Sequence, residues 1–138
     1  LLAFSGVTSG MVSLVNGLEW SPLTMVVLMF IILLFMGMFM EQVSIMMLTI
    51  PIFFPVASAL GFDLVWFGIV MLLALEMSGI TPPFGLNLFI LLGVAPEGTS
   101  MKEVALSGLP FLLCGVLLFA LLVWFPSVAL FLPSLMNN

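Results

Sequence analysis

Long apolar runs alternate along the chain with a few short polar breaks, and these breaks divide it into elements. The breaks fall near residues 16–22, 41–42, 61–63, 79–85 and 96–103. Apolar helices are the expected way for such a chain to cross a bilayer. The pattern therefore predicts an all-α membrane fold with the end of a preceding span and an interfacial helix at 1–22, a helical hairpin at 23–60, a broken helix at 64–95, a loop at 96–105 and a C-terminal span at 106–133.

The hairpin prediction depends on the length of its two apolar arms, residues 23–38 and 45–60. As helices each would be about 24 Å long, short of the roughly 30 Å hydrocarbon core. A polar turn at 41–44 joins them. Two short arms with a polar turn favour a re-entrant hairpin whose tip is residues 37–44 and whose ends lie on one side of the membrane. Two ordinary thin spans with a tight loop are the alternative, which composition by itself favours.

The next apolar segment, residues 64–95, is too long for one span and is interrupted by the motif Ser-Gly-Ile-Thr-Pro-Pro-Phe-Gly at 78–85. Pro82 and Pro83 have no N–H, so the carbonyls four residues earlier lose their helical partners. In a bilayer, freed backbone groups are tolerated where they are buried in protein or line a cavity. The motif therefore predicts a helix that breaks at a ligand site, with a proline-kinked span packed against its neighbours as the alternative.

The conformation expected at the break follows from the same motif. Gly79 is predicted to end the first half-helix in a left-handed turn. Thr81 is predicted as the N-cap of the second half-helix, with Pro82 at its first position. The C-terminal end of the first half-helix exposes carbonyl oxygens, which suit Na⁺. The N-terminal end of the second exposes the N–H groups of Phe84 and Gly85, which suit a carboxylate.

Composition narrows the class of protein. Of 138 residues, 64% are hydrophobic and 5% are charged, which predicts an integral membrane protein rather than a soluble domain. One basic residue cannot neutralise a row of phosphates, and the lack of histidine removes the usual hydrolytic and zinc chemistry. We therefore expect neither a nucleic-acid-binding protein nor an enzyme. The apolar start at Leu1, with no basic leader before it, predicts a fragment of a longer polytopic protein.

The few charges are informative by position. Glu76 lies in the last turn before the break, where a carboxylate faces the negative end of the helix dipole and costs about 2.5 kcal/mol or more at membrane depth. A nearby cation or protonation would offset that cost. Glu41 occupies the corresponding place in the hairpin, although a hydrated tip explains it nearly as well. Asp63 is predicted to be the N-cap of the following helix. If the hairpin opens to the outside, the 96–105 loop is cytoplasmic, and Lys102, the only basic residue, agrees with the positive-inside tendency.

Two stretches resemble the C-terminal repeat of the large membrane subunit of TRAP (tripartite ATP-independent periplasmic) transporters. One is residues 37–70, with prolines at 51 and 55 followed by Gly-Phe-Asp at 61–63, and the other is residues 75–95, with Ile-Thr-Pro-Pro-Phe-Gly and a downstream asparagine. With the final apolar span, the resemblance covers roughly residues 20 to 133.

The resemblance implies half of an inverted-repeat elevator transporter of the ion-transporter superfamily, with a re-entrant hairpin and a discontinuous transmembrane helix. It implies coupling to Na⁺, no other cofactor, and organic carboxylate substrates such as C4-dicarboxylates or sialic acid. The expected partners are a soluble extracytoplasmic binding protein and a small membrane subunit, separate or fused, in a bacterial or archaeal cytoplasmic membrane.

Site residues follow from the motif and the resemblance together. The predicted Na⁺ ligands are Gly37, Ser44, Ser78, Gly79, Thr81 and Pro82, with Glu76 as a further candidate. The predicted substrate contacts are Thr81, Gly85 and Asn87, the last about a turn and a half into the second half-helix. The alternatives are an anion–sodium symporter of the same superfamily that needs no binding protein, and a non-transporting structural or assembly subunit.

Overall fold

The computed structural model describes residues 20–136 together with Gly6, Gly10, Ser13 and Gly17. Most of the predicted segment at 1–22 therefore lies outside the described residues. All regular secondary structure in the described part is helical. From residue 20 onward the helices are α1 (Pro22–Gly37), α2 (Gln42–Ala59), α3 (Leu64–Gly79), α4 (Leu86–Val94), α5 (Met101–Trp124) and α6 (Pro126–Met136).

The turn between α2 and α3 shows how the local sequence sets helix ends. Gly61 adopts a φ of 83°, which a glycine tolerates without strain. The Phe62 N–H then donates to the Ala57 carbonyl at 3.1 Å, closing α2 with a Schellman motif. Asp63 follows as the N-cap of α3, so the predicted cap is confirmed.

The α2 arm of the predicted hairpin is longer than the apolar pattern indicates. α2 begins at Gln42, because Glu41 caps it, and reaches 18 residues or about 27 Å. The connection between α1 and α2 is therefore residues 38–41 rather than 41–44. α1 is shorter, at 16 residues.

The loop before α5 is also shorter than the predicted 96–105. Ser100 and Glu103 form a capping box, in which the Ser100 N–H donates to Glu103 Oε2 at 2.7 Å and the Glu103 N–H donates to Ser100 Oγ at 3.3 Å. This pair starts α5 at Met101, inside the stretch that the hydropathy pattern alone assigns to a polar loop.

A single C-terminal helix over 106–133 is not what forms. α5 ends at Trp124, and a separate helix, α6, begins at Pro126. Pro126 has no N–H to donate to the Leu122 carbonyl four residues earlier. The indole Nε1–H of Trp66 donates to that carbonyl instead, at 2.8 Å, which ties the end of α5 to the first turn of α3.

α3 lies at the centre of the bundle and packs against α1, α2, α5 and α6. Its buried face carries most of the core, including Phe67, Val70, Met71 and Leu75. The outward faces of α5 and α6 expose large apolar side chains, with Phe111 71% and Leu132 69% exposed. Gln42–Ala59 and Met101–Trp124 are each long and apolar enough to cross a membrane. Exposed apolar faces on such helices suit lipid or further protein as the surroundings.

Candidate functional site

α3 ends in a tight turn at the break. The Ile80 N–H donates to the Met77 carbonyl at 3.2 Å, and the Thr81 N–H donates to the Ser78 carbonyl at 3.1 Å. The Ser78 carbonyl is therefore not released, contrary to the sequence prediction. The Gly79 carbonyl is released: Pro83 has no N–H to offer it, and no donor reaches it within the described part of the chain.

The second half-helix begins later than predicted. Its N-cap is Gly85 and its first residue is Leu86, so the assignment of Thr81 as cap and Pro82 as first residue is wrong. The Thr81 hydroxyl instead donates back to the Met77 carbonyl at 2.7 Å, which completes the last turn of α3. The Gly85 N–H donates to the Thr81 carbonyl at 3.1 Å and is not free for a ligand.

Two glycines allow the two sides of the break to approach closely. A Cβ on Gly79 would lie 2.8 Å from Asn87 Nδ2, and a Cβ on Gly85 would lie 3.0 Å from the Thr81 carbonyl oxygen. Among the described residues only Gly61 and Gly98 have positive φ, so Gly79 does not form the predicted left-handed turn. Glycine is needed at 79 for space rather than for backbone conformation.

The connection at 38–41 is organised by Glu41. Its Oε1 accepts the Val43 N–H at 2.8 Å, and its Oε2 accepts both the N–H and the hydroxyl of Ser44, at 3.1 and 3.3 Å. Glu41 is thus the N-cap of α2 rather than the end of the first arm. Ser44, a predicted Na⁺ ligand, turns toward Glu41 and is exposed.

Three contacts join this connection to the end of α3 and the break. Gly37, buried, packs directly against the side chain of Ser78. The Gln42 amide donates from Nε2 to the Leu75 carbonyl at 3.2 Å, the same carbonyl that accepts the Ser78 hydroxyl at 2.6 Å. The rings of Phe39 and Phe84 lie with their centroids 5.4 Å apart. The hairpin tip, defined here as residues 37–42, is therefore held against the break.

A cavity of about 380 Å³ lies between tip and break. Its lining is Gly37, Met40, Glu41, Gln42, Glu76, Gly79, Leu86, Asn87 and Ile90. We call it the tip cavity. It holds two carboxylates and two amides and no basic side chain, since the only one in the chain is Lys102. A second cavity of about 480 Å³, between α3, α4 and α5, shares Glu76 and Asn87 with it.

The structure thus brings together most of the predicted site residues. Lining the tip cavity are Gly37, Glu76, Gly79 and Asn87. Ser78, fully buried, and Gly85 pack directly behind it. Ser44, Thr81 and Pro82 are not part of the lining. Asn87 is the second residue of α4 rather than lying a turn and a half along it.

Gln42 is the site residue that the sequence analysis missed. It is the only glutamine in the chain and stands in a polar turn between apolar arms, which was a usable signal. Its hydrogen-bond partner is 33 positions away. That partner is a backbone carbonyl, which every residue has, so the sequence does not distinguish it.

Comparison with known proteins identifies the family. Residues 1–128 match the family described as tripartite ATP-independent periplasmic transporter, DctM component. The C4-dicarboxylate TRAP transporter large permease protein DctM of Vibrio cholerae is 38% identical over 83% of this chain and 25% of its own length. The sialic acid TRAP transporter permease protein SiaT of Haemophilus influenzae is 34% identical over 84% of this chain and 18% of its own length.

The isethionate TRAP transporter permease protein DctMQ of Oleidesulfovibrio alaskensis is 29% identical over 83% of this chain. No solved structure matches the chain. The chain spans about a quarter of the length of the Vibrio cholerae relative. The match over nearly all of its residues shows that the chain belongs to the DctM family of TRAP transporter large permeases, which are integral membrane transport proteins and not enzymes.

Proposed function

We propose that the chain is part of a Na⁺-coupled permease that moves an organic carboxylate across the cytoplasmic membrane of a bacterium or archaeon by an elevator mechanism. Relatives named for C4-dicarboxylates and for sialic acid support the substrate class. The observation that carries the proposal is the convergence of the hairpin tip and the break on one cavity with released backbone groups. Helix interruptions that meet at a cavity are how secondary transporters build ion and substrate sites.

In this proposal α1 and α2 form the re-entrant hairpin, and α3 and α4 are the halves of a discontinuous transmembrane helix. The C-terminal end of α3 presents the Gly79 carbonyl to the ion. The hydroxyls of Ser78 and Thr81 donate their protons to the Leu75 and Met77 carbonyls. Their oxygens therefore keep lone pairs for a cation, which is the orientation that Na⁺ coordination needs.

The two carboxylates of the tip cavity explain why binding of the substrate would depend on Na⁺. Glu41 and Glu76 line it with no basic residue beside them, so they attract a cation and repel an anion. A carboxylate substrate entering the same cavity is therefore favoured only after Na⁺ has entered. The substrate would meet the Asn87 amide and the first free N–H groups of α4, where the helix dipole is positive.

The partners in this proposal are a soluble extracytoplasmic binding protein, which delivers the substrate, and a small membrane subunit, separate or fused. The tip cavity would be completed by an inverted repeat elsewhere in the full permease, because one hairpin and one broken helix enclose one side of a site.

The test uses the complete permease with its small subunit in proteoliposomes. Pro83→Ala restores the N–H that lies four residues after Gly79, so it can close the helical hydrogen bond to the Gly79 carbonyl, and sodium-dependent thermal stabilisation and sodium-driven uptake should both fall. Thr81→Val should act in the same direction, whereas Thr81→Ser should be mild because the hydroxyl survives. Pro110→Ala is the matched control, since Pro110 lies inside α5 on an exposed face.

Wild-type sodium stabilisation in both Pro83→Ala and Thr81→Val would show that the break is a packing kink. Absence of any sodium effect on the wild-type permease would favour a structural subunit. Uptake at full rate without the binding protein would favour the anion–sodium symporter.

A further inference from the structure

All three tryptophans of the chain lie at one end of the bundle. Trp20 precedes α1, Trp66 is in the first turn of α3, and Trp124 is the last residue of α5. Residues from each of these helix ends line a single cavity. Tryptophan is enriched where hydrocarbon meets the lipid headgroups, so this end of the bundle is expected at a membrane–water boundary.

The cavity at this end has a volume of about 580 Å³ and is walled by the start of α1, the turn at 61–63, and the junction of α5 with α6. We call it the headgroup cavity. Its lining is mostly apolar, and its one charged group is the carboxylate of Asp63. The site is separate from the tip cavity, with which it shares no residue.

One carboxylate oxygen of Asp63 accepts hydrogen bonds, and the other has no donor among the described residues. Oδ1 accepts the N–H groups of Val65 and Trp66, at 2.8 and 3.0 Å. No donor reaches Oδ2 from the residues that the structure describes. The only basic residue, Lys102, is near the opposite end of α5, about 33 Å from Trp124 along the helix. Among the residues that the structure describes, the carboxylate therefore has no cationic side chain as a partner.

Aromatic rings stand beside that carboxylate. The rings of Phe62 and Trp66 are stacked, with centroids 5.1 Å apart and planes 18° from parallel. Trp124 also lines the cavity and is 76% exposed. Trp66 is buried under this stack, so Trp124 is the ring left accessible to a ligand. A carboxylate beside an accessible aromatic ring is the combination that recognises an organic ammonium group.

We propose that the headgroup cavity binds a phospholipid through the ammonium of its head group. Asp63 and Trp124 hold the ammonium, and the apolar walls take the first part of the acyl chains. Charge complementarity selects the ammonium. The exposed apolar side chains that flank the cavity, among them Leu23, Phe125 and Val128, select a lipid over a soluble amine.

The experiment measures binding of phosphatidylethanolamine to the delipidated complete permease by native mass spectrometry. A neutral glycolipid with the same acyl chains, which has no ammonium, is the comparison lipid. Wild type should bind phosphatidylethanolamine about three- to fivefold more tightly than the glycolipid, given the usual strength of cation–π contacts and exposed charge pairs. In Asp63→Asn the ratio should fall to about one, because asparagine keeps the helix cap and loses the charge.

Trp124→Leu tests the aromatic contact separately from the charge. Trp124 is exposed, and its replacement should also lower the ratio. Glu97→Gln, which removes an exposed carboxylate from the other end of α5, should leave the ratio unchanged. An unchanged ratio in Asp63→Asn and Trp124→Leu would overturn the proposal. Sodium dependence is not part of this test, so its result is independent of the proposed transport function.

Discussion

Gln42→Met removes the side-chain hydrogen bond that holds the hairpin tip against α3. Methionine has nearly the same length and shape as glutamine but cannot donate from its end. The Leu75 carbonyl loses the bond from Gln42 Nε2, 3.2 Å long, and keeps the one from the Ser78 hydroxyl, 2.6 Å long. No buried carbonyl is left without a partner, so the cost is that of one neutral hydrogen bond, about 0.5–1.5 kcal/mol.

If the ion binds only when the tip is held against α3, losing this hydrogen bond lowers the sodium affinity by the same free energy. Under the proposed function, the sodium concentration for half-maximal uptake should rise about two- to tenfold, since about 1.4 kcal/mol corresponds to a tenfold change. The maximum rate should change much less, because the ligands themselves remain. The assay is sodium-dependent uptake by the complete permease in proteoliposomes, with sodium-dependent thermal stabilisation measured in parallel.

Thr99→Val is the matched control, because it removes another side-chain hydrogen bond to a carbonyl, that of Thr99 to Pro96 at 2.7 Å, in an exposed loop away from the cavity. It should leave the sodium midpoint unchanged. If Gln42→Met lowers the melting temperature but keeps the wild-type sodium midpoint, the contact stabilises the fold and does not position the site.

Three further predictions test other parts of the structure. Glu76→Gln should weaken the sodium dependence of uptake and alter its pH dependence, because it removes one of the two carboxylates of the tip cavity; unchanged dependences would limit Glu76 to a structural role. Single cysteines at Trp20 and Asp63 should react with an impermeant reagent from the same side of the membrane, and reaction from opposite sides would disprove the re-entrant hairpin. Trp66→Phe should destabilise the permease by about 1–3 kcal/mol, since the Leu122 carbonyl loses its buried donor, whereas Trp20→Phe, at a half-exposed position, should cost little.

The sequence by itself determined the membrane class and the places where helices must stop. The membrane class follows from the long apolar runs, and the break after Gly79 follows from two adjacent prolines that both lack an N–H. The cap at Asp63 follows from the preference of aspartate for the N-cap position. Pro126 also lacks an N–H, but the prediction of a single helix over 106–133 did not take it into account, and the chain forms two helices there.

Competing local hydrogen bonds decided how the break and the connection at 38–41 are folded, and tertiary structure decided which distant groups meet. The Thr81 hydroxyl could either cap the following helix or bond within the preceding one. It donates to the Met77 carbonyl and so completes the preceding helix. Ser44 likewise had hydroxyl chemistry suited to a cation, but its neighbour Glu41 takes that hydroxyl.

The pairing of Gln42 with the Leu75 carbonyl, of Gly37 with Ser78, and of Trp66 with the Leu122 carbonyl joins positions far apart in the chain. Two of these partners are backbone carbonyls, which every residue type has alike. Residue types can show where a donor or a gap is available, but the packing of α1, α2 and α5 around α3 determines what fills it.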